Sequence, residues 1–217
     1  MNTANQKRIL RLSLIIIGYL IFIYFIRLLN HLAFMISGGL ELTLLYIMIQ
    51  WICPCIIIAL LRKDGKRFTD LGFTGENLPL QILSGCVATL FLTVVILIIP
   101  DLILGKPIFY SEIHLSILNA IYYICGVAAS EEILIRGYIY TELYEIKHSH
   151  LFCTLVSSAI FGFYHIYGKS LHQMLTAAIF GIILCIFRLK FKNCTLLSLI
   201  LAHGIYGVLT TQIFSAM

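Results

Sequence analysis

The sequence predicts an all-α, polytopic membrane bundle of about seven transmembrane helices with a cytoplasmic N-terminus. Three observations predict it. Hydrophobic types make up 60% of the 217 residues and charged types 12%, whereas an ordinary soluble domain is about half apolar and a quarter charged. Seven apolar runs follow one another with short polar breaks, each near the roughly 20 residues a helix needs to cross a bilayer. The Lys and Arg residues also divide unequally between the two sides that such a path defines, as they do in membrane proteins.

The runs lie near Ile9–Leu29, Leu40–Leu61, Leu80–Leu104, Ile113–Tyr138, Leu151–Tyr167, Met174–Leu189 and Thr195–Phe214. The first is too long for a signal peptide, and no small-residue cleavage site follows it. With the N-terminus inside, the cytoplasmic segments hold Lys7, Arg8, Arg11, Arg62, Lys63, Lys66, Arg67, Arg136, Lys147, Arg188, Lys190 and Lys192. The other side receives Arg27, Lys106 and Lys169. The chain reads as a single transmembrane domain over residues 1–217. The most polar stretch, RKDGKRFTDLGFTGENLP from Arg62 to Pro79, reads as a cytoplasmic loop with an amphipathic piece. Its Phe68, Leu71 and Phe73 would face lipid.

Composition also removes several function classes. A net charge of +5 with no single basic patch excludes a nucleic-acid partner; membrane lipids are the expected surroundings. Seven cysteines, an odd number set mostly inside apolar runs, argue against a disulfide framework. Cys53 and Cys55 flank Pro54 and read as small hydrophobes.

Ionisable groups inside lipid cost roughly 2.5–3.5 kcal/mol each at a helix centre, so those present face the bundle interior and have partners. The fourth run carries AASEEILIRGYIY. On a helix Glu132 and Arg136 are four apart and share a face. Glu131 points about 100° away, which leaves one carboxylate without a local cation. The fifth run carries SSAIFGFYHIYG with His165, and the seventh LILAHGIYGVL with His203. Two histidines and a carboxylate on three spans match a zinc site with ligands Glu131, His165 and His203 and an open water position. They equally match a metal-free site in which Glu and His activate water. The predicted centre lies in the cytoplasmic half and opens to the cytoplasm.

These segments resemble the CPBP family (CAAX protease and bacteriocin-processing) of intramembrane proteases. Glu131, Glu132 and Arg136 meet its EExxxR motif, Phe161 and His165 its FxxxH motif, and His203 the first position of HxxxN/D. The likeness covers about 113–214. It implies an intramembrane endopeptidase acting on a lipidated protein tail or a secreted or bacteriocin-like peptide, in a multi-pass bacterial cell-membrane protein. It implies that Glu131 is the principal acid/base or ligand, that Glu132 and Arg136 support it, and that His165 and His203 complete the centre. Zinc or an activated glutamate remains open. The departure is Gly207, where the family has Asn or Asp. Tyr206 points elsewhere on an ideal helix, and Thr210 or Thr211 would reach the site only through a kink. Gly207 favours the alternative function, a non-catalytic relative that binds a peptide or membrane partner, as in bacteriocin self-immunity. The sequence sets neither the oligomeric state nor the substrate.

Overall fold

Each apolar run becomes a helical rod in the computed structural model, which describes residues 3–33, 40–105, 116–166 and 170–212. The rods are α1 Thr3–Ala33, α2 Leu40–Lys63, α3 Leu78–Ile103, α4 Ile117–Lys147, α5 His150–Phe163, α6 Leu171–Lys190 and α7 Leu196–Gln212. No strand occurs among the described residues. The expected run ends at Ile113, Tyr167 and Phe214, and the charges Lys106 and Lys169, lie outside them. Five rods are long and apolar enough to cross a membrane; α5 and α7 are shorter apolar helices. This is an integral, multi-pass membrane protein.

Local chemistry sets the helix boundaries. Ser116, Ser149 and Ser170 each accept a hydrogen bond from a backbone N–H of the first turn, at Asn119, Phe152 and Gln173, which satisfies donors a helix start leaves open. Pro79 occupies the first turn of α3, where its missing N–H costs nothing. Pro54 cannot donate to the carbonyl of Gln50, and the regular helix of α2 is interrupted at Trp51, between Leu40–Gln50 and Ile52–Lys63. Outward faces are apolar: Leu10, Leu14, Ile17 and Ile21 of α1 are all more than half exposed, as lipid-facing residues are.

Consecutive rods alternate in direction, so one end of the bundle gathers the start of α1, the end of α2 and the end of α4. Ion pairs tie that end together. Glu142 of α4 is 2% exposed and meets Lys66 at 2.6 Å, Arg8 at 3.3 Å and Arg11 at 3.5 Å. Arg11 also holds Asp64 at 2.6 Å. The Arg62–Pro79 segment is docked here rather than spread on lipid. Leu71 is fully buried, Leu196 N donates to Gly72 O at 3.1 Å, and the Arg188 guanidinium donates to the carbonyls of Leu71 and Arg136. This corrects the expected lipid-facing position of Leu71. The apolar side chain finds a protein cavity, and the backbone finds hydrogen-bond partners there.

Arg136 is likewise no loop charge. It is 0% exposed because α4 continues to Lys147, well past the predicted end at Tyr138. Removing it from the cytoplasmic set leaves the charge asymmetry in place.

Candidate active site

The acidic pair sits on a single α-helical turn, Ala129–Glu132, between two π-helical stretches at Tyr122–Ala128 and Ile133–Ile139. Such i→i+5 turns are rare and recur at functional sites. The expected pairing of Glu132 with Arg136, four residues on, is kept across the second stretch. Glu131 and Glu132 both reach the same histidine. His203 Nδ1 lies 2.8 Å from Glu132 Oε1, and His203 Nε2 lies 3.7 Å from Glu131 Oε2. An ionised carboxylate only accepts, so Nδ1 carries the hydrogen on the Glu132 side.

Behind this group Arg136 Nη1 donates to Glu132 Oε1 at 3.2 Å, and both side chains are 0% exposed. The guanidinium carbon lies 4.3 Å from the centre of the Phe161 ring, a cation–π contact worth about 2 kcal/mol once desolvated. Phe161 and Phe180 also flank the His203 ring, with centroids 5.7 and 5.0 Å away. The ring is therefore held by aromatic edges on two sides and a carboxylate on a third.

Gly181 of α6 makes room for the arginine. A Cβ there would stand 2.6 Å from Arg136 Nη2 and 3.0 Å from Ser158 Oγ, and Arg136 has nowhere to retreat. Gly181→Ala should therefore lower stability by about 1–3 kcal/mol, the usual range for overpacking. Gly18→Ala, at a position with nothing within 4 Å, should not destabilise the protein. Thermal unfolding of the two variants in detergent compares them.

Glu131, His165 and His203 line one cavity of about 510 Å³. Glu131 and His203 side chains are 15% and 13% exposed, so both touch it while Glu132 and Arg136 do not. His165 lies just beyond the end of α5 at Phe163 rather than inside the span. Its N–H donates to Gly162 O at 3.0 Å, and its Nδ1 is 2.9 Å from Phe161 O. The three predicted residues share the cavity wall, but the chain does not draw them into a ligand shell. Among the described residues no three His, Cys, Asp or Glu side chains are grouped to hold a metal ion. His203 Nδ1 is engaged by Glu132 and His165 Nδ1 by the Phe161 carbonyl, the outer-shell arrangement that leaves Nε2 of each ring as the atom able to hold a metal or a water.

Position 207 differs from its neighbours in kind. A Cβ on Gly207 would lie 2.9 Å from Tyr123 Cδ1. The Tyr123 ring fills the space a side chain there would need. The Thr210 and Thr211 hydroxyls donate back to Gly207 O at 3.0 and 2.8 Å, so their hydrogens are engaged within their own helix. Tyr206 does line the cavity, and its ring packs 5.0 Å from Phe180.

Sequence reasoning missed Gln50, Tyr19, Tyr122 and Tyr123, which all line the cavity. Gln50 accepts from Ser130 Oγ at 3.4 Å, beside Glu131. A polar amide in the otherwise apolar run LLYIMIQWICP was its available signal. Tyr19 packs edge-on to Tyr164 at 4.6 Å and had no sequence signal, since aromatic residues are frequent throughout.

With this geometry stand the comparisons. Residues 113–209 match the family model for Rce1-like proteins, described as type II CAAX prenyl endopeptidase Rce1-like. That stretch is similar to the Rce1-like family. No curated protein and no solved structure matches the chain. The matched stretch holds α4 to α6, α7 as far as Leu209, and every residue of the Glu131, Glu132, Arg136, His165 and His203 group. Gln50 and Tyr19 lie outside it, on α2 and α1. The family description is that of a prenyl endopeptidase.

Proposed function

We propose that this protein is an intramembrane endopeptidase in which Glu131 activates a water for attack on a peptide carbonyl. The observation that carries this is the single contact group at the cavity wall: a partly exposed Glu131, a His203 fixed by Glu132, and an Arg136 that neutralises Glu132 in the dry interior. Arg136 pairs with Glu132 behind the cavity wall, and Glu131 is the carboxylate that meets the cavity and is placed to exchange a proton with water.

The steps follow from those roles. Glu131 removes a proton from water as its oxygen bonds to the scissile carbonyl carbon. His203, oriented by its Nδ1–H to Glu132, presents Nε2 beside Glu131 and steadies the attacking water. The tetrahedral intermediate collapses, the C–N bond breaks, and Glu131 returns its proton to the leaving amine. His165 lines the same cavity and is proposed to position the peptide. Substrates of the expected class are lipidated tails or secreted peptides.

A specific observation favours a second reading, a peptide-binding relative without catalysis. The Tyr123 ring occupies the space of a 207 side chain, so no donor extends from that position. The two readings separate on one pair of variants assayed for peptide cleavage. Gly207→Asn alone should perturb the protein by forcing Tyr123 aside. Gly207→Asn with Tyr123→Ala should fold and cleave faster than the unaltered protein, because a donor to the developing oxyanion contributes on the order of 10²–10³ in rate. No cleavage by the unaltered chain and none by the double variant would favour the binding reading.

A further inference from the structure

The described residues that line the cavity come from one half of the bundle. Ile23 and Ile26 come from the later half of α1, Tyr122 and Tyr123 from the start of α4, and Thr210 and Thr211 from the end of α7. All are remote from the end where Arg8, Arg11, Lys66 and Arg188 are joined to Glu142, Asp64, Leu71 and Arg136. His172, Gln173 and Thr176, at the start of α6, complete the mouth, and His172 and Gln173 are exposed.

Glu131 lies midway along α4. On its basic side the interior is solid: Arg136, Tyr138, Ile139, Leu184 and Leu196 are each at most 1% exposed. A peptide cannot reach Glu131 through that packing. On the other side α5 stops short. Its 14 residues span roughly 21 Å, less than the roughly 30 Å hydrocarbon thickness, and His165 follows at the end of the gap. Phe161, Tyr164 and His165, at and just past the end of this rod, line the cavity.

The Lys and Arg asymmetry puts the basic end in the cytoplasm. We infer that the site is reached from the extracytoplasmic face, and that its substrate is an uncharged, largely apolar peptide stretch presented on that face. This rests on the hydrolase reading for its substrate half and on topology alone for its access half. The chemistry of the wall fits such a peptide. Among the described lining residues Glu131 is the only Asp, Glu, Lys or Arg, and Tyr19, Tyr164, Phe180 and Tyr206 supply apolar surface. A substrate tail held in the cytoplasm would meet the closed end. This inference replaces the expected cytoplasmic opening. That expectation followed from ending the fourth span at Tyr138, which set the acidic pair near the cytoplasmic end, whereas the helix runs on to Lys147.

Side-specific labelling tests it. His172→Cys at the mouth and Lys63→Cys at the basic end are each added to the otherwise unaltered full chain. Right-side-out and inverted membrane vesicles are treated with a membrane-impermeant maleimide, with the unaltered chain as background. His172→Cys should label in right-side-out vesicles and lose its label in inverted ones; Lys63→Cys should do the reverse. The opposite pattern overturns the access route. A capped, uncharged fluorogenic peptide added to the same vesicles reads the substrate half, with Glu131→Gln as the blank. Cleavage in right-side-out vesicles alone supports it, and cleavage confined to inverted vesicles overturns it. Labelling as expected with no cleavage in either orientation overturns the substrate half together with the hydrolase reading, and leaves the access route standing.

Discussion

Glu131→Gln should reduce peptide hydrolysis by about 10²–10⁴, the usual contribution of a positioned acid/base group, and leave thermal stability nearly unchanged. The substitution keeps the size and polarity of a side chain that is 15% exposed and pairs only loosely with His203, at 3.7 Å. No buried charge is stranded by it, so the fold has little to lose. Glutamine cannot take a proton from water at neutral pH, so the chemical step loses its base while peptide binding persists. The measurements are a cleavage assay and an unfolding curve on one preparation in detergent. Cleavage at the unaltered rate would remove Glu131 from the mechanism.

The second large effect belongs to Arg136. Arg136→Met should destabilise the protein by about 3–5 kcal/mol, the cost of leaving one partner of a buried ion pair alone. Glu132 and Arg136 are both 0% exposed, and without the guanidinium the carboxylate keeps, among the described residues, only its contact with His203 at 2.8 Å. Removing the charge of both partners, as Glu132→Gln with Arg136→Met, should recover much of that loss, because well-packed neutral groups replace buried ion pairs at little cost. Activity should not recover with it, since His203 then lacks the anion that fixes Nδ1. A double variant as unstable as Arg136→Met would instead assign the loss to packing, including the Phe161 contact at 4.3 Å.

These two outcomes separate roles that look alike in the motif. Glu131 and Glu132 are adjacent and identical in chemistry. Glu132 is sealed against Arg136, and Glu131 meets the cavity. The distinction is one of solvent and partner, which helical spacing only approximated. Spacing did pair Glu132 with Arg136, because an i,i+4 contact is local. It left Glu131 without a cation, where the structure brings the ring of His203 from a helix 72 residues further along.

What the sequence determined alone was what lipid demands of a chain segment by segment. Seven apolar stretches had to be helices, because a backbone in hydrocarbon must satisfy its own hydrogen bonds, and costly polar groups had to find partners inside. Tertiary structure alone decided where those partners are and which way the site faces. Glu131 and Glu132, set between the π-helical stretches of α4, meet one histidine, His165 lines the cavity just past the end of α5, and the space beside Gly207 is taken by a ring from another helix. Each depends on helix register and length against a neighbour, a relation between distant segments that no local pattern of residues encodes.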